Sequence, residues 1–328
     1  MIRKQLGLTG IMVTPVGMGT LTMGFSQKNL AVPEGAGIIY HAVKRGINFL
    51  DTAEYYDTYR YLRPALDKIR KNPALEFPVI SSKSLAKDYD GMKASVENCL
   101  SALDIPAVDI FLLHEIRGEH DFEERGGAWK ALQDLKEEGL IKAVGISTHH
   151  VDAALRMLRE NCDVVFPLIN REALGVRTFD KGSSEDRPAR REEMESAIRK
   201  LAGSGIGIYT MKAFGGGNLI GEYQRNLSYA AQIPGNTSVM VGMGSIQEID
   251  DAVRFFEGSL PSDYQPETNR KQMKVDQSDC EGCGTCMRRC VSHAIHWNEN
   301  GLAEIDTNKC VHCGYCAPVC PVRAIIFL

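Results

Sequence analysis

Over residues 1–257, short apolar runs rich in β-branched side chains alternate with longer stretches in which apolar positions recur every three to four residues. The first pattern suits a strand buried on both faces. The second suits a helix with one apolar stripe. Read in order, they predict strands near 16–19, 47–51, 78–82, 108–113, 142–146, 163–167, 207–211 and 239–242. Helices are predicted near 34–45, 59–71, 90–102, 122–138, 150–160, 190–203, 221–230 and 246–256. Eight strand–helix units in about 250 residues match a closed (β/α)8 TIM barrel, an α/β fold. An open doubly wound sheet is the runner-up, but no G-x-G-x-x-G follows the first predicted strand. "LTGIMVTPVG" reads as a short hairpin that would plug the bottom of the barrel. The pattern stops at 258–274, a polar, proline-bearing stretch that reads as a linker.

Residues 275–328 follow another rule. Of the ten cysteines only Cys99 and Cys162 precede this region. The others form two sets with C-x2-C-x2-C-x3-C spacing: Cys280, Cys283, Cys286 and Cys290, then Cys310, Cys313, Cys316 and Cys320. Each member of the second set lies 30 residues after its counterpart, and Val275-Asp276, Gly284 and Ala294-Ile295 recur as Ile305-Asp306, Gly314 and Ala324-Ile325. Two copies of one unit explain this. Three thiolates at intervals of three sit on one tight loop around a cluster face, and the fourth lies too far along the chain to close the same cage. In this motif it ligates the other cluster. That assigns one [4Fe-4S] cluster to Cys280, Cys283, Cys286 and Cys320, and the second to Cys310, Cys313, Cys316 and Cys290. Pro321 follows its ligand as the motif asks, whereas Val291 takes that place in the first copy. The tail closely resembles a bacterial-type 2[4Fe-4S] ferredoxin, a small α+β module, which implies electron transfer. Zinc knuckles and purely structural clusters are the blander alternatives; zinc sites more often pair C-x2-C elements across a spacer.

Composition narrows the context. The chain has 328 residues, 44% hydrophobic and 24% charged, with a net charge of −4 and no block of like charge, so neither nucleic acid nor an anionic membrane is expected as a partner. "MIRKQLGLTG" lacks the apolar core of a signal peptide, and no run approaches the length of a membrane span. A cytoplasmic protein is expected, in which clustered cysteines bind metal rather than pair. Nothing in the sequence sets the oligomeric state.

Chemistry in such a barrel belongs at the C-terminal ends of the strands. There "GINFLDTAEYYD", "VISSKS" and "DIFLLHEI" place Asp51, Lys83 and His114 at one mouth, and Tyr56 can fold back from the loop after Asp51. A tyrosine beside a lysine held by an aspartate can give a proton to a developing alkoxide, with Lys83 lowering the phenol's pKa and His114 holding the substrate oxygen. Any one of these residues alone would more often be structural; together they read as catalytic.

With "LGLTGIMVTPVGMGT", "GINFLDTAEYY" and "GLIKAVGIS", the set Tyr56, Asp51, Lys83 and His114 resembles the aldo-keto reductase family across nearly the whole barrel. The resemblance implies carbonyl reduction with NAD(P)H, the choice between NAD and NADP being open. It places Ser147, Thr148, Asn170, Met211, Lys212, Gly215, Gly216, Gly217, Gly242, Gly244 and Ser245 around that cofactor. The pocket also departs from the family. Thr148 replaces the asparagine of a Ser–Asn pair, Phe166 a glutamine, Met211 a stacking tyrosine, and Gly244 the cation for a 2′-phosphate, with Asp250 and Asp251 nearby. Three readings follow. The first is an NAD(P)H carbonyl reductase with electron-transferring clusters. The second is a reductase fed through the clusters by a ferredoxin or flavoprotein, with nicotinamide weakened or lost. The third is an electron carrier with a vestigial barrel. A flavin could collect single electrons, but no flavin fingerprint is present. The substrate is a small molecule that the sequence does not name.

Among the remaining features, Cys99 and Cys162 read as buried small hydrophobes. His149-His150 reads as a solvated helix start, and the charged stretch 180–196 as a mobile loop or a solvated helix entry. Arg171 is placed to reach an anionic substrate.

Overall fold

The computed structural model of the chain describes residues 1–25, 27–266, 272–322 and 324–327, so residues 267–271 of the expected linker lie outside the described residues. A short hairpin, β1 (Lys4–Gln5) and β2 (Met12–Val13), comes first. The barrel follows: β3 (Val16–Gly19), α1 (Val32–Lys44), β4 (Phe49–Asp51), α2 (Tyr59–Arg70), β5 (Val79–Ser84), α3 (Tyr89–Leu103), β6 (Val108–Ile116), α4 (Gly118–Glu124), α5 (Gly126–Glu137), β7 (Ile141–Thr148), α6 (Val151–Arg156) and β8 (Val164–Pro167). A second hairpin, β9 (Arg177–Phe179) and β10 (Asp186–Pro188), precedes α7 (Arg191–Gly203), β11 (Gly207–Met211), α8 (Tyr223–Gln232), β12 (Ser238–Gly242) and α9 (Ile246–Phe256). Eight parallel strands close in the order β11-β12-β3-β4-β5-β6-β7-β8.

The two-residue period of the strands sorts the core into two layers. Ile110 and Leu112 of β6 point into the barrel with Phe49, Val164, Phe166, Tyr209 and Met240. Phe111 and Leu113, one residue out of step, pack under the helices. Leu6, Ile11 and Val13 of the first hairpin join the inner layer and close the bottom. Gly145 lets β7 lie close to β8, since a Cβ there would fall 1.7 Å from the Val164 carbonyl oxygen.

Two predicted elements come out differently. The helix expected over 122–138 is two, α4 and α5, broken at Arg125. Gly126-Gly127 weakens the junction, and the Arg125 guanidinium turns inward to donate to the carbonyls of Ser84, Ala86 and His114. The charged stretch 180–196 carries β10, paired antiparallel to β9.

The tail contains β13 (Met273–Val275), α10 (Thr285–Arg289), β14 (Ile295–Trp297), β15 (Ala303–Ile305) and β16 (Ile325–Phe327). The first strand of each copy pairs with the last strand of the other: β13 with β16, and β15 with β14. Asp276 N donates to Ala324 O at 2.6 Å and Asp306 N to Ala294 O at 2.7 Å, the same bond twice. Among the described residues, the central cluster of this module has six buried members, two of them cysteines. So little apolar burial leaves metal binding to complete its stability.

Gly145→Ala is expected to cost about 3 kcal/mol, because β8 backbone rather than a mobile side chain meets the new methyl group. Urea unfolding followed by far-UV circular dichroism measures this, and an unchanged midpoint would contradict the close approach of β7 and β8.

Candidate active site at the barrel–dicluster junction

Strands β4, β5 and β6 deliver Asp51, Lys83 and His114 to one end of the barrel. Lys83 Nζ donates to Asp51 Oδ2 and to Thr52 O, both at 2.7 Å, and the pair is almost wholly buried. Tyr56 lies on a one-turn 3-10 helix after β4, closed by Asp57 in the left-handed region (φ 52°). Its hydroxyl is 3.4 Å from His114 Nε2. The structure thus brings all four expected residues together.

Their electrostatics differ from the expectation in one respect. Lys83 Nζ faces the Tyr56 ring, 4.8 Å from its centroid, and its charge is matched by Asp51. Burial, seconded by the Asp51 carboxylate, therefore pushes the Tyr56 phenol well above its ordinary pKa instead of lowering it. Burial also pushes the Asp51 carboxyl up and the Lys83 ammonium down, and each is held back by the other. Burial, with the positive charges of Lys83, Arg125 and Arg289, drives the His114 pKa far down, so its imidazole is neutral.

The mouth is covered by the tail. Tyr315, between Cys313 and Cys316, is buried against the tetrad, and its hydroxyl and His114 Nε2 share a 2.7 Å hydrogen bond. Arg289 lies 4.7 Å over the Tyr315 ring and pairs bidentately with buried Glu115, one bond measuring 2.8 Å. Arg117 donates to the same carboxylate at 3.0 Å. Glu115 takes φ 59°, a left-handed residue at a bulge in β6 before Ile116 pairs again with Thr148. Around this centre Tyr55 donates to Gly314 O, Lys212 to Val311 O, Asn218 to Cys310 O and Gln27 to His312 O, while His312 Nδ1 lies 2.6 Å from Gly216 O.

With barrel, tetrad and tail described, comparison with known proteins is decisive. The Aldo/keto reductase family model matches residues 15–230, and a 4Fe-4S dicluster domain matches residues 273–328. The chain belongs to the aldo/keto reductase family. It is an oxidoreductase of that family carrying a 4Fe-4S dicluster domain. It is 24% identical over 334 residues to pyridoxal 4-dehydrogenase of Microbacterium luteolum, covering 80% of this chain and 95% of that protein. It is 28% identical over 160 residues to the oxidoreductase YqkF of Bacillus subtilis, covering 45% of this chain and only 49% of that relative. Among solved structures, an aldo-keto reductase from Pseudomonas aeruginosa superposes with a TM-score of 0.64 at 26% identity, covering 79% of this chain and 95% of that one. Among the described residues no helix is long and apolar enough to cross a membrane.

In this aldo/keto reductase the residues placed around a nicotinamide have other partners. Ser147 Oγ accepts from Glu115 N at 2.9 Å, Thr148 Oγ1 donates to Ile116 O, and the Asn170 amide bonds both backbone groups of Leu174. Phe166 stacks on Tyr209, ring centroids 4.2 Å apart, and Met211 sits half-buried at the end of β11. Of Gly215, Gly216 and Gly217, the middle one is pressed against the tail: a Cβ there would fall 2.3 Å from Val311 O. Gly244 N donates to Glu248 Oε2, and Ser245 caps α9.

A groove of about 1060 Å³ does run along this edge. It is lined by Lys28, Phe214, Gly216, Gly242, Ser245 and His312 among others, but none of the tetrad opens onto it. The segment from Val311 to Tyr315 lies between. In this arrangement the group against Tyr56 and His114 is the Tyr315 side chain.

The cysteines arrange as two sets. Cys290, Cys310, Cys313 and Cys316 line one cavity, the crossed grouping expected for the second cluster. Cys280, Cys286 and Cys320 pack into the module's core, while Cys283 is exposed. Ala294 N donates to Cys290 Sγ and Ala324 N to Cys320 Sγ, again one setting repeated. Among the described residues no three His, Cys, Asp or Glu side chains close around a single metal ion. Four cysteines lining one cavity are the donor set that a [4Fe-4S] cluster would take.

Two smaller expectations change and one holds. His149 and His150 are buried, not solvated, and His150 stacks on Phe179 and bonds Asp186. Arg171 is engaged by Glu172 and Glu222 instead of facing a substrate. Cys99 is buried as expected, its thiol pushed up to about 11, and Cys162, also raised by burial, bonds Val164 O.

The residues that sequence reasoning missed are Tyr315, Arg289, Val311 and Glu115. A signal existed in the repeat. Val311, His312 and Tyr315 stand where the first copy has Glu281, Gly282 and Thr285. A duplicated unit that exchanges small or polar residues for large ones on one loop marks the face that packs on something.

Arg289→Ala leaves Glu115 buried with only Arg117 beside it. The junction is expected to weaken by about 3 kcal/mol, with hydrogen exchange over residues 311–316 accelerating on the order of 100-fold while the barrel's protection holds. Unchanged exchange there would show that Glu115 does not hold the tail.

Proposed function

We propose that this chain is an iron–sulfur oxidoreductase that reduces a small organic substrate at an oxygen held by Tyr56 and His114, with electrons arriving through the dicluster module rather than as hydride. The observation that carries this reading is the 2.7 Å bond between Tyr315 and His114, which ties the loop presenting Cys313 and Cys316 to the tetrad. On the two cysteine sets, [4Fe-4S] clusters would supply single electrons.

The rest is done by the chain's own residues. The Tyr315 hydroxyl occupies the place beside Tyr56 and His114 that suits a substrate oxygen, and a substrate takes it by displacing that side chain. Tyr56, kept protonated by burial and by Asp51, donates its proton as negative charge develops on the oxygen. Neutral His114 holds a hydrogen bond to the same oxygen. Lys83 lies over the Tyr56 ring, and Asp51 keeps Lys83 in place.

Conversion of a carbonyl to an alcohol takes two electrons and two protons. The electrons come from an external one-electron donor, a ferredoxin or flavoprotein. One proton comes from Tyr56 and the other from water, which also restores the phenol. Delivery one electron at a time favours a conjugated carbonyl, over which an unpaired electron spreads. A second reading, NAD(P)H-dependent carbonyl reduction, is favoured by the groove at Gly242 and Ser245. It requires residues 311–315 to leave the mouth.

Anaerobically reconstituted protein is expected to reduce conjugated ketones with reduced viologen as donor. Tyr56→Phe should lower the rate on the order of 100-fold, and Cys313→Ala should abolish it. NADPH-driven turnover undiminished in Cys313→Ala would replace this reading with the second. Relay between donor and acceptor proteins unaffected by Tyr56→Phe, with no turnover of any substrate, would leave only a carrier.

Tyr315→Ala should lower the KM for such a ketone and open a site for phenol, measurable by calorimetry. No phenol binding would show that Tyr315 does not stand in for a substrate.

A further inference from the structure

The loop that carries Cys310 and Cys313 lies on Lys212, whose Nζ donates to Val311 O at 3.1 Å. Lys212 follows the last residue of β11 and takes φ 60°, a left-handed turn that directs it off the strand. Among the described residues, no carboxylate forms an ion pair with its ammonium, whereas Arg289 and Arg117 are both committed to Glu115. Burial pushes the Lys212 ammonium pKa down, and the neighbouring Cys313 and Cys310, then Glu115, hold it up.

Adding an electron to a four-thiolate cage makes an already negative object more so. Enclosure among Val291, Val311 and Tyr315 opposes that change, whereas water around exposed Cys283 eases it at the other set. By burial alone the inner cage would be the poorer electron acceptor, and electrons would stay at the surface. A cation placed against the inner ligand loop and ion-paired to no described carboxylate reverses the order, because its attraction grows with the cage's negative charge.

We propose that Lys212 sets the reduction potential of the inner cluster site, Cys290, Cys310, Cys313 and Cys316, above that of the outer one, so that electrons entering near Cys283 run inward to the tetrad. Lys212 is a positioning residue for charge, not a group that touches substrate. The proposal rests on the reading of inward electron delivery for its purpose. The quantity it predicts is a midpoint that needs no substrate, so the two can fail separately.

The test is a redox titration followed by electron paramagnetic resonance on anaerobic, fully loaded protein. Two one-electron waves are expected, with the wave perturbed by Cys283→Ser the more negative. Lys212→Met should move only the other wave, to more negative potential, by at least the equivalent of a tenfold change in equilibrium, about 59 mV. Lys212→Arg should leave it near the native position. Lys212→Asn, a residue type that tolerates the left-handed turn, repeats the measurement should the Met variant fail to load. A shift of both waves together, a shift of the Cys283-sensitive wave alone, or no shift in either neutral variant overturns the proposal.

Discussion

The molecule hinges on one buried carboxylate. Glu115 follows His114 near the end of β6, sits at a bulge in that strand at φ 59°, and is nearly inaccessible to water. A carboxylate in that position is strongly unfavourable unless a cation comes to it, and the cations come from two sides, Arg117 of the barrel and Arg289 of the tail. The pairing fixes the tail over the mouth and, with it, everything the tail brings: Tyr315 on His114, Val311 on Lys212, His312 on Gly216. Removing the arginine leaves the charge stranded, so the interface is held as much by the cost of undoing it as by the strength of its contacts.

The duplicated tail places one unit in two different surroundings. Both copies share the crossed strand pairing, the cysteine settings and the turn bonds at Asp276 and Asp306. They differ where they meet their surroundings. The first copy keeps Cys283 exposed beside Thr285 and Arg288. The second replaces that polar loop by Val311, His312 and Tyr315, and His312 accepts a left-handed φ where the first copy has Gly282. Near-symmetry builds the module, and departures from it leave one copy facing solvent and pack the other on the barrel.

The contact also changes what the barrel's residues mean. Lys212 and the glycines after β11 are expected, by family resemblance, around a nicotinamide cofactor; in the folded chain Lys212 and Gly216 meet the ligand loop. Ser147, Thr148 and Asn170 satisfy neighbouring backbone groups. These are local uses of polar side chains that a spacing pattern cannot distinguish from ligand contacts, since both ask for the same residue types at a strand's end.

The sequence by itself determined the barrel, because strands buried on both faces and one-sided helices leave distinct periods, and it determined the tetrad, because strand ends in such a barrel share one mouth. It determined the cysteine sets through their repeat. The break at Arg125, the burial of His149 and His150, and the direction of the Tyr56 shift were decided only by the tertiary structure. Each depends on which charges and carbonyls lie nearby across the fold: Ser84 and His114 for Arg125, Asp186 for His150, and Asp51, which cancels Lys83 at 2.7 Å, for Tyr56. The joining of the two halves was decided there as well. A contact between residues 114 and 315 leaves no period in the chain, and only the folded molecule brings a cluster loop to the tetrad.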